Sequence, residues 1–267
     1  MSQVDNDGFT VVERKFKYLN VNADKNGRRK RKGRYKFQDP DDYTVSDLRS
    51  ILDQQSETLV QSKFFSDLHD IFERRLEETY DEIVCYGIGS MQHSKNAQFQ
   101  YALILLIRER LKSPPTYIYD PVMTELDKKI CKQDNINVIP VNEEGKRKAS
   151  KRVLFYMPHC GRGLYSNTLE ANWSIDDLPN VTIIGNRFDM YVGSQLDKDL
   201  RRECPYLIPA VKVVERTLFP ENFEEDDKVF SDLSIQTFPK DKLLVMKPSF
   251  WEKIHRIEGE DNDLVKL

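Results

Sequence analysis

The sequence predicts an α/β fold: a Rossmann-like, doubly wound, mostly parallel sheet of about five or more strands with helices on both faces. N-terminal helices and a disordered basic arm precede it. Three observations predict this. Short apolar runs alternate with helical stretches over residues 80 to 215, which make the Rossmann-like core. The runs are continuously apolar, as strands covered on both faces are. With 267 residues, 39% apolar and 10% aromatic, the chain is long enough and greasy enough for one large α/β domain or a domain with extensions.

In chain order, residues 1–43 read as a disordered arm. Its one apolar patch, "GFTVVERKF", would add a strand or dock on a surface. Residues 44–267 read as a single α/β domain. A helix starts at Ser46, taken as its N-cap, with Leu48, Ile51 and Leu52 on one face. A second runs from Ser62 to Tyr80, with Phe64, Leu68, Ile71, Phe72 and Leu76 as its stripe. "EIVCYG" is a short apolar run ending in glycine, suited to a buried strand, and "NAQFQYALILLIRERL" is a long helix. A proline break leads to a strand at Thr116–Tyr119 with Asp120 at its end. "TELDKKICKQ" is a helix, "INVIPVN" a strand and "EEGKRKAS" a polar turn. Val153–Met157 is the strongest strand; "LYSNTLEANW" is helical and "NVTIIGN" a fifth strand. "QLDKDLRREC" reads as helix. In the less regular C-terminal extension, "PENFEEDDKVF" is an acidic loop or short helix, "FSDLSIQTF" a late strand and "PSFWEKIHRIE" a closing helix.

The charged share is 32%, above the ordinary level, which fits polar tails or long exposed helices. The net charge of −3 hides an asymmetry: Lys25–Lys36 carries eight basic residues and no acid, leaving the rest of the chain at −11. Such a block stays solvated and reads as a nuclear-import or RNA-binding segment, or as a solubilising arm. No apolar stretch is long enough to span a membrane, and the polar start lacks a signal-peptide core. The expectation is a soluble protein of cytoplasm and nucleus. Its four cysteines lack CxxC spacing, which favours reduced thiols over a disulfide frame or structural zinc.

In open α/β sheets, ligands sit beyond the carboxyl ends of the strands. That rule nominates Gly87, Gly89 and Ser90 after the first strand, Asp120 after the second, Pro158, His159 and Cys160 after the fourth, and Gly185, Asn186 and Arg187 after the fifth. Gly87 and Gly89 allow a tight turn with no Cβ in a ligand's way, and the helix that follows offers free N–H groups. Position 92 is Gln, where the dinucleotide fingerprint has its third glycine, and no Walker lysine follows. A purely structural turn is the alternative. Asp120 suits a ribose-binding acid, yet it lies 31 residues after Gly89 instead of the usual ~20. Asp-Pro is also a common turn starter. His159 and Cys160 are candidates for a general base and a nucleophile; the alternative is a loop-holding histidine. Cys204-Pro205 reads either as a haem-regulatory dipeptide or as a solvated helix end.

These residues carry a resemblance. "YGIGS", "FQYALILLI", "YDPV", "FYMPHC" followed by "LY" and "ANW", "IIGN" and "FSDLSIQTF" come in an order that resembles the SRR-like family, named in plants for Sensitivity to Red light Reduced. The resemblance covers roughly 82–238. "DGFTVVERK" also looks like a segment that many animal members carry before the basic stretch. The resemblance implies a regulatory protein, linked to circadian clock input, to light signalling in plants, to haem biosynthesis in animals and to microtubule stability in fungi. No established catalytic activity comes with it. It carries over Gly87, Gly89, Ser90, Asp120, Pro158, His159, Cys160, Tyr165, Asn172, Trp173, Gly185 and Asn186 as a pocket without assigned chemistry. Gln236 stands where many members have histidine, which argues against an essential acid–base role there. The expected ligand is S-adenosylmethionine, another nucleotide or haem, and the expected partners are proteins. RNA through Lys25–Lys36 is a further reading, and so is an S-adenosylmethionine-dependent methyltransferase-like enzyme by fold analogy.

Overall fold

The computed structural model describes residues 39–194 and 197–254. The basic arm and "GFTVVERKF" lie outside them, as does the end of "PSFWEKIHRIE" beyond Ile254. Seven strands form one sheet: β1 (Glu82–Tyr86), β2 (Thr116–Tyr119), β3 (Asn137–Val138), β4 (Val153–Met157), β5 (Val181–Asn186), β6 (Glu215–Leu218) and β7 (Leu233–Thr237). Their order is β3-β2-β1-β4-β5-β7-β6. The first five strands are parallel. Strand β7 runs antiparallel between β5 and β6. The order reverses between β1 and β4, which is where doubly wound sheets open a crevice at their carboxyl edge.

Helices cover both faces. Ile83, Cys85, Leu154, Tyr156 and Ile184 point to the face packed by α1 (Val45–Gln61), α2 (Lys63–Arg75), α3 (Lys95–Arg110) and α4 (Glu125–Gln133). Val84, Tyr86, Phe155, Met157 and Ile183 point to the other, packed by α5 (Arg162–Ala171), α6 (Phe188–Ser194), α8 (Leu207–Val213) and α9 (Lys240–Leu244). The period-2 alternation of a strand produces two separate cores from one apolar run. A further short helix, α7 (Asp197–Glu203), precedes α8. Among the described residues no helix is long and apolar enough to cross a membrane.

Several boundaries differ from those read in the sequence. The N-cap of α1 is Thr44, not Ser46. Thr44 Oγ1 accepts the Asp47 N–H at 3.2 Å and Asp47 Oδ2 accepts the Thr44 N–H at 2.9 Å, a reciprocal capping box. Helix α2 stops at Arg75 instead of reaching Tyr80. Leu76 leaves helical geometry with ψ 140° while its N–H still bonds the Phe72 carbonyl at 3.0 Å, and the Arg110 guanidinium donates to the carbonyls of Phe72 and Glu77 at 3.1 and 3.4 Å. Strand β3 has two residues only: its pairing with β2 ends at Val138 opposite Ile118, followed by one bond from the Ile139 N–H to the Ile118 carbonyl at 2.8 Å. "PSFWEKIHRIE" begins as a 3-10 turn over Pro248–Trp251, not a helix. Trp173 anchors that turn through its indole N–H, which donates to the Phe250 carbonyl at 2.9 Å.

Replacing Thr44 with Ala removes one half of the capping box and is expected to cost about 1 kcal/mol, read as a lower urea midpoint. Thr44→Ser retains the hydroxyl and is expected to stay within a few tenths of a kcal/mol of the parent.

Candidate functional site

The loops after β1 and β4 meet at the point where the strand order reverses. Gly87 has φ +72° and Gly89 φ +87°, the left-handed region where a Cβ is costly. A Cβ on Gly87 would come within 2.4 Å of Cys160 Sγ. The thiol fills that space and donates to the Tyr86 carbonyl at 3.3 Å. Cys160 is buried, and burial, with the nearby Asp120 charge, pushes its pKa up to about 12. The reactive form of a cysteine is the thiolate, so this sulfur stays protonated and unreactive near neutral pH.

Asp120 faces the turn. Its Oδ2 accepts the Gly89 N–H at 2.8 Å and its Oδ1 accepts the Val122 N–H at 2.9 Å. One turn further on, buried Asp127 accepts the Gln92 N–H at 2.9 Å. Two protein carboxylates therefore hold amide donors that a phosphate would otherwise take. They also set negative charge where a phosphate would carry more, and the turn does not reproduce a phosphate cradle. Ser90 Oγ lies 3.2 Å from His93 Nδ1, and His93 Nε2 lies 2.8 Å from Asp41 Oδ1. The Gln92 side-chain amide donates to the Pro40 carbonyl at 2.8 Å. The segment before α1 is thus strapped across the turn.

On the β4–β5 side, His159 adopts φ +51°. Its N–H donates to Asn186 Oδ1 at 2.9 Å, and its Nε2 reaches the Val229 carbonyl at 3.0 Å. A carbonyl only accepts, so Nε2 carries the proton in this contact. His159 and Cys160 are neighbours in sequence but bond to Val229 and Tyr86, on different sides of the loop, and form no dyad. The Tyr165 hydroxyl donates to the Met157 carbonyl at 2.5 Å and accepts the Asn186 N–H at 2.9 Å. Gly185 admits this ring: a Cβ there would lie 2.8 Å from Tyr165 Oη. The Gln236 amide bridges the Asn186 carbonyl and the Phe188 N–H at 3.1 Å each.

The structure thus brings Gly87, Gly89, Ser90, Asp120, Pro158, His159, Cys160, Gly185 and Asn186 to one edge of the sheet. Arg187 pairs there with Asp189 at 3.1 Å. Two carried-over residues sit elsewhere. Asn172 ties the β3–β4 connection to α5, accepting the Ala149 N–H at 2.6 Å and donating to the Arg147 carbonyl at 3.0 Å. Trp173 holds the C-terminal turn. Cys204 is fully buried, so its sulfur does not fit an axial ligand for a haem bound from solvent. A group that sequence reading missed is Tyr86–Glu143–Arg147. The Tyr86 hydroxyl donates to Glu143 at 2.5 Å, Arg147 pairs with Glu143 at 2.8 Å, and the Arg147 guanidinium lies 4.6 Å from the Tyr117 ring centroid. Burial alone would raise the Glu143 pKa, but the hydrogen bonds from Arg147 and Tyr86 outweigh it and hold it below the usual value. The i,i+4 spacing of Glu143 and Arg147 inside "EEGKRKAS" was the available signal.

Fold and edge together define a doubly wound α/β protein whose strand-end loops at the topological switch point are held by mutual hydrogen bonds. The chain belongs to the SRR1 domain family, whose pattern residues 52–237 match. It is 37% identical over 140 residues to a mouse SRR1-like protein, a match covering 51% of this chain and 55% of that one. With a Drosophila melanogaster SRR1-like protein it shares 26% over 261 residues, covering 96% and 92%. With the Arabidopsis thaliana protein SENSITIVITY TO RED LIGHT REDUCED 1 it shares 36% over 116 residues, covering 43% and 42%. The aligned part thus spans about half the length of the mouse and plant relatives. Among solved structures, the 23S rRNA methyltransferase ErmE is similar at a TM-score of 0.37 and 14% identity, over 64% of this chain and 66% of that one.

Gly87→Ala is expected to destabilise by about 1–2 kcal/mol from backbone strain alone, with the Cys160 contact adding to it. Cys160→Ala removes the sulfur in the way, so the double variant is expected to fall short of the summed single losses by ~0.5 kcal/mol or more. Strict additivity in chemical denaturation would contradict the contact.

Proposed function

We propose that this chain is a regulatory protein that acts by binding, as an input to light-linked or clock-linked control of the kind that the family resemblance implies. Control of haem biosynthesis is the second process under that resemblance. What supports binding over catalysis is the engagement of the two candidate reactive groups: Cys160 is a buried thiol on a carbonyl, and the outer ring nitrogen of His159 is bonded to another. The output runs through protein partners in cytoplasm and nucleus, and Lys25–Lys36 is the segment for nuclear import or RNA.

The crevice at Gly87–Ser90, Asp120, Pro158–His159 and Gly185–Asn186 is the proposed ligand site. Since Asp120 and Asp127 occupy the turn's amide donors, the ligand proposed there is a nucleoside-type molecule without phosphate at that end. The same negative charge favours one second reading, S-adenosylmethionine-dependent methyl transfer, because that cofactor carries a cationic sulfonium and no phosphate; Asp120 and Ser90 would be its contacts.

Thermal unfolding with adenosine, ATP, S-adenosylmethionine and haem separates these readings. Adenosine at a hundredfold excess over its dissociation constant is expected to stabilise by about 2.7 kcal/mol, ATP to do no better, and His159→Ala to reduce the effect. A shift with S-adenosylmethionine alone favours the methyltransferase reading. No shift with any of them removes the small-molecule site and leaves protein partners as the mode of action.

A further inference from the structure

Strand β6 ends the sheet, so one of its edges meets no other strand among the described residues. The phase of its ladder follows from one bond. Phe219 donates its N–H to the Leu233 carbonyl at 3.0 Å, and antiparallel pairs alternate between bonded and non-bonded positions. In the observed register, Thr217 faces Ile235 and Glu215 faces Thr237. These residues therefore point their main-chain groups inward to β7, and Arg216 and Leu218 point theirs outward. Leu218 is 44% exposed. The outer edge offers extended main-chain donors and acceptors with no proline to interrupt them.

A hollow of about 460 Å³ lies beside this edge, lined by Arg75, Glu215, Thr217, Ile235, Thr237 and Lys242 among others. Glu215, Thr217, Ile235 and Thr237 share one sheet face; Arg75 comes from the end of α2 and Lys242 from α9. Arg216 also borders the hollow. Three cations thus stand against one carboxylate on a chain whose charge outside the basic arm is −11. Lys242 pairs with Glu215 at 3.1 Å and Arg216 reaches Asp189 at 3.3 Å. No carboxylate pairs with Arg75 among the described residues. Self-pairing of two copies along β6 would bring two such basic hollows side by side, so charge selects a different occupant.

We propose that the outer edge of β6 receives an extended acidic segment of a partner polypeptide, which adds to the seven-stranded sheet as a further strand. The main-chain groups of Arg216 and Leu218 bond the added strand. Its alternate acidic side chains fall on the hollow's face, toward Arg75 and Lys242. Main-chain pairing supplies the affinity and the basic lining supplies the choice of partner.

The test is fluorescence polarisation of the full chain with two labelled peptides, one alternating glutamate with valine and one alternating lysine with valine. The glutamate peptide is expected to bind and the lysine peptide to bind at least about tenfold more weakly, a difference of ~1.4 kcal/mol. Leu218→Pro deletes an outward N–H and no ladder bond, so it is expected to abolish binding while the melting temperature holds. Arg75→Glu changes an exposed side chain and is expected to invert the peptide preference. Failure of both peptides to bind would overturn the proposal. So would equal binding of the two, unchanged binding by a folded Leu218→Pro, or displacement of the glutamate peptide by a single-stranded oligonucleotide, which would assign the basic hollow to nucleic acid.

Discussion

The sulfur of Cys160 occupies the volume that a side chain at residue 87 would need, and the ends of the two central strands depend on that contact. It requires glycine at 87 and ties the loop after β4 to the end of β1. It also places the thiol where burial keeps its proton on. With no Cβ at 87 and a left-handed backbone, the chain turns at once after β1, and the Gly89 amide comes round to meet Asp120 from the end of β2. The β4 loop is held from its other side by Asn186, Tyr165 and Gly185. The carboxyl ends of β1, β2, β4 and β5 are thus one bonded unit, built from polar groups that satisfy one another.

That mutual satisfaction bears on function. A buried polar group costs free energy unless it is paired, and pairing removes it from chemistry. The same residues that a nucleotide-binding reading would assign to phosphate and ribose here assign themselves to the fold. The segment of Pro40 and Asp41 is strapped to Gln92 and His93 beside them. Strand β6, whose outer edge meets no other strand among the described residues, lies outside this unit.

Much of the fold was legible because buried parallel strands are continuous apolar runs and the helices between them keep a clear stripe. The five strands from β1 to β5 and the late strand β7 were all visible on that basis. Strand β6 was not. As an edge strand it carries Glu215, Arg216 and Thr217, and no hydrophobic pattern separates it from a loop. The extent of β3 was overread because "INVIPVN" is mostly apolar, whereas its pairing with β2 ends at Val138. Thr44 was passed over as a cap because a capping box is a reciprocal geometry, and Ser46 is an equally good cap by type. At the site, the topological rule placed the nominated residues at one edge of the sheet, and the structure has them there. Their roles were less legible, since spacing does not tell which way a carboxylate faces. Asp120 reads equally as a ribose acid or a turn clamp until its oxygens are located on Gly89 and Val122.

The claim that the strand ends form a closed bonded unit is tested most directly by amide hydrogen exchange at Gly89, comparing the parent with Asp120→Ala. The account predicts slow exchange in the parent, although Gly89 lies in a loop, and exchange faster by orders of magnitude once the carboxylate is gone. Exchange at the rate of an open loop in the parent, or equal rates in the two proteins, would contradict it.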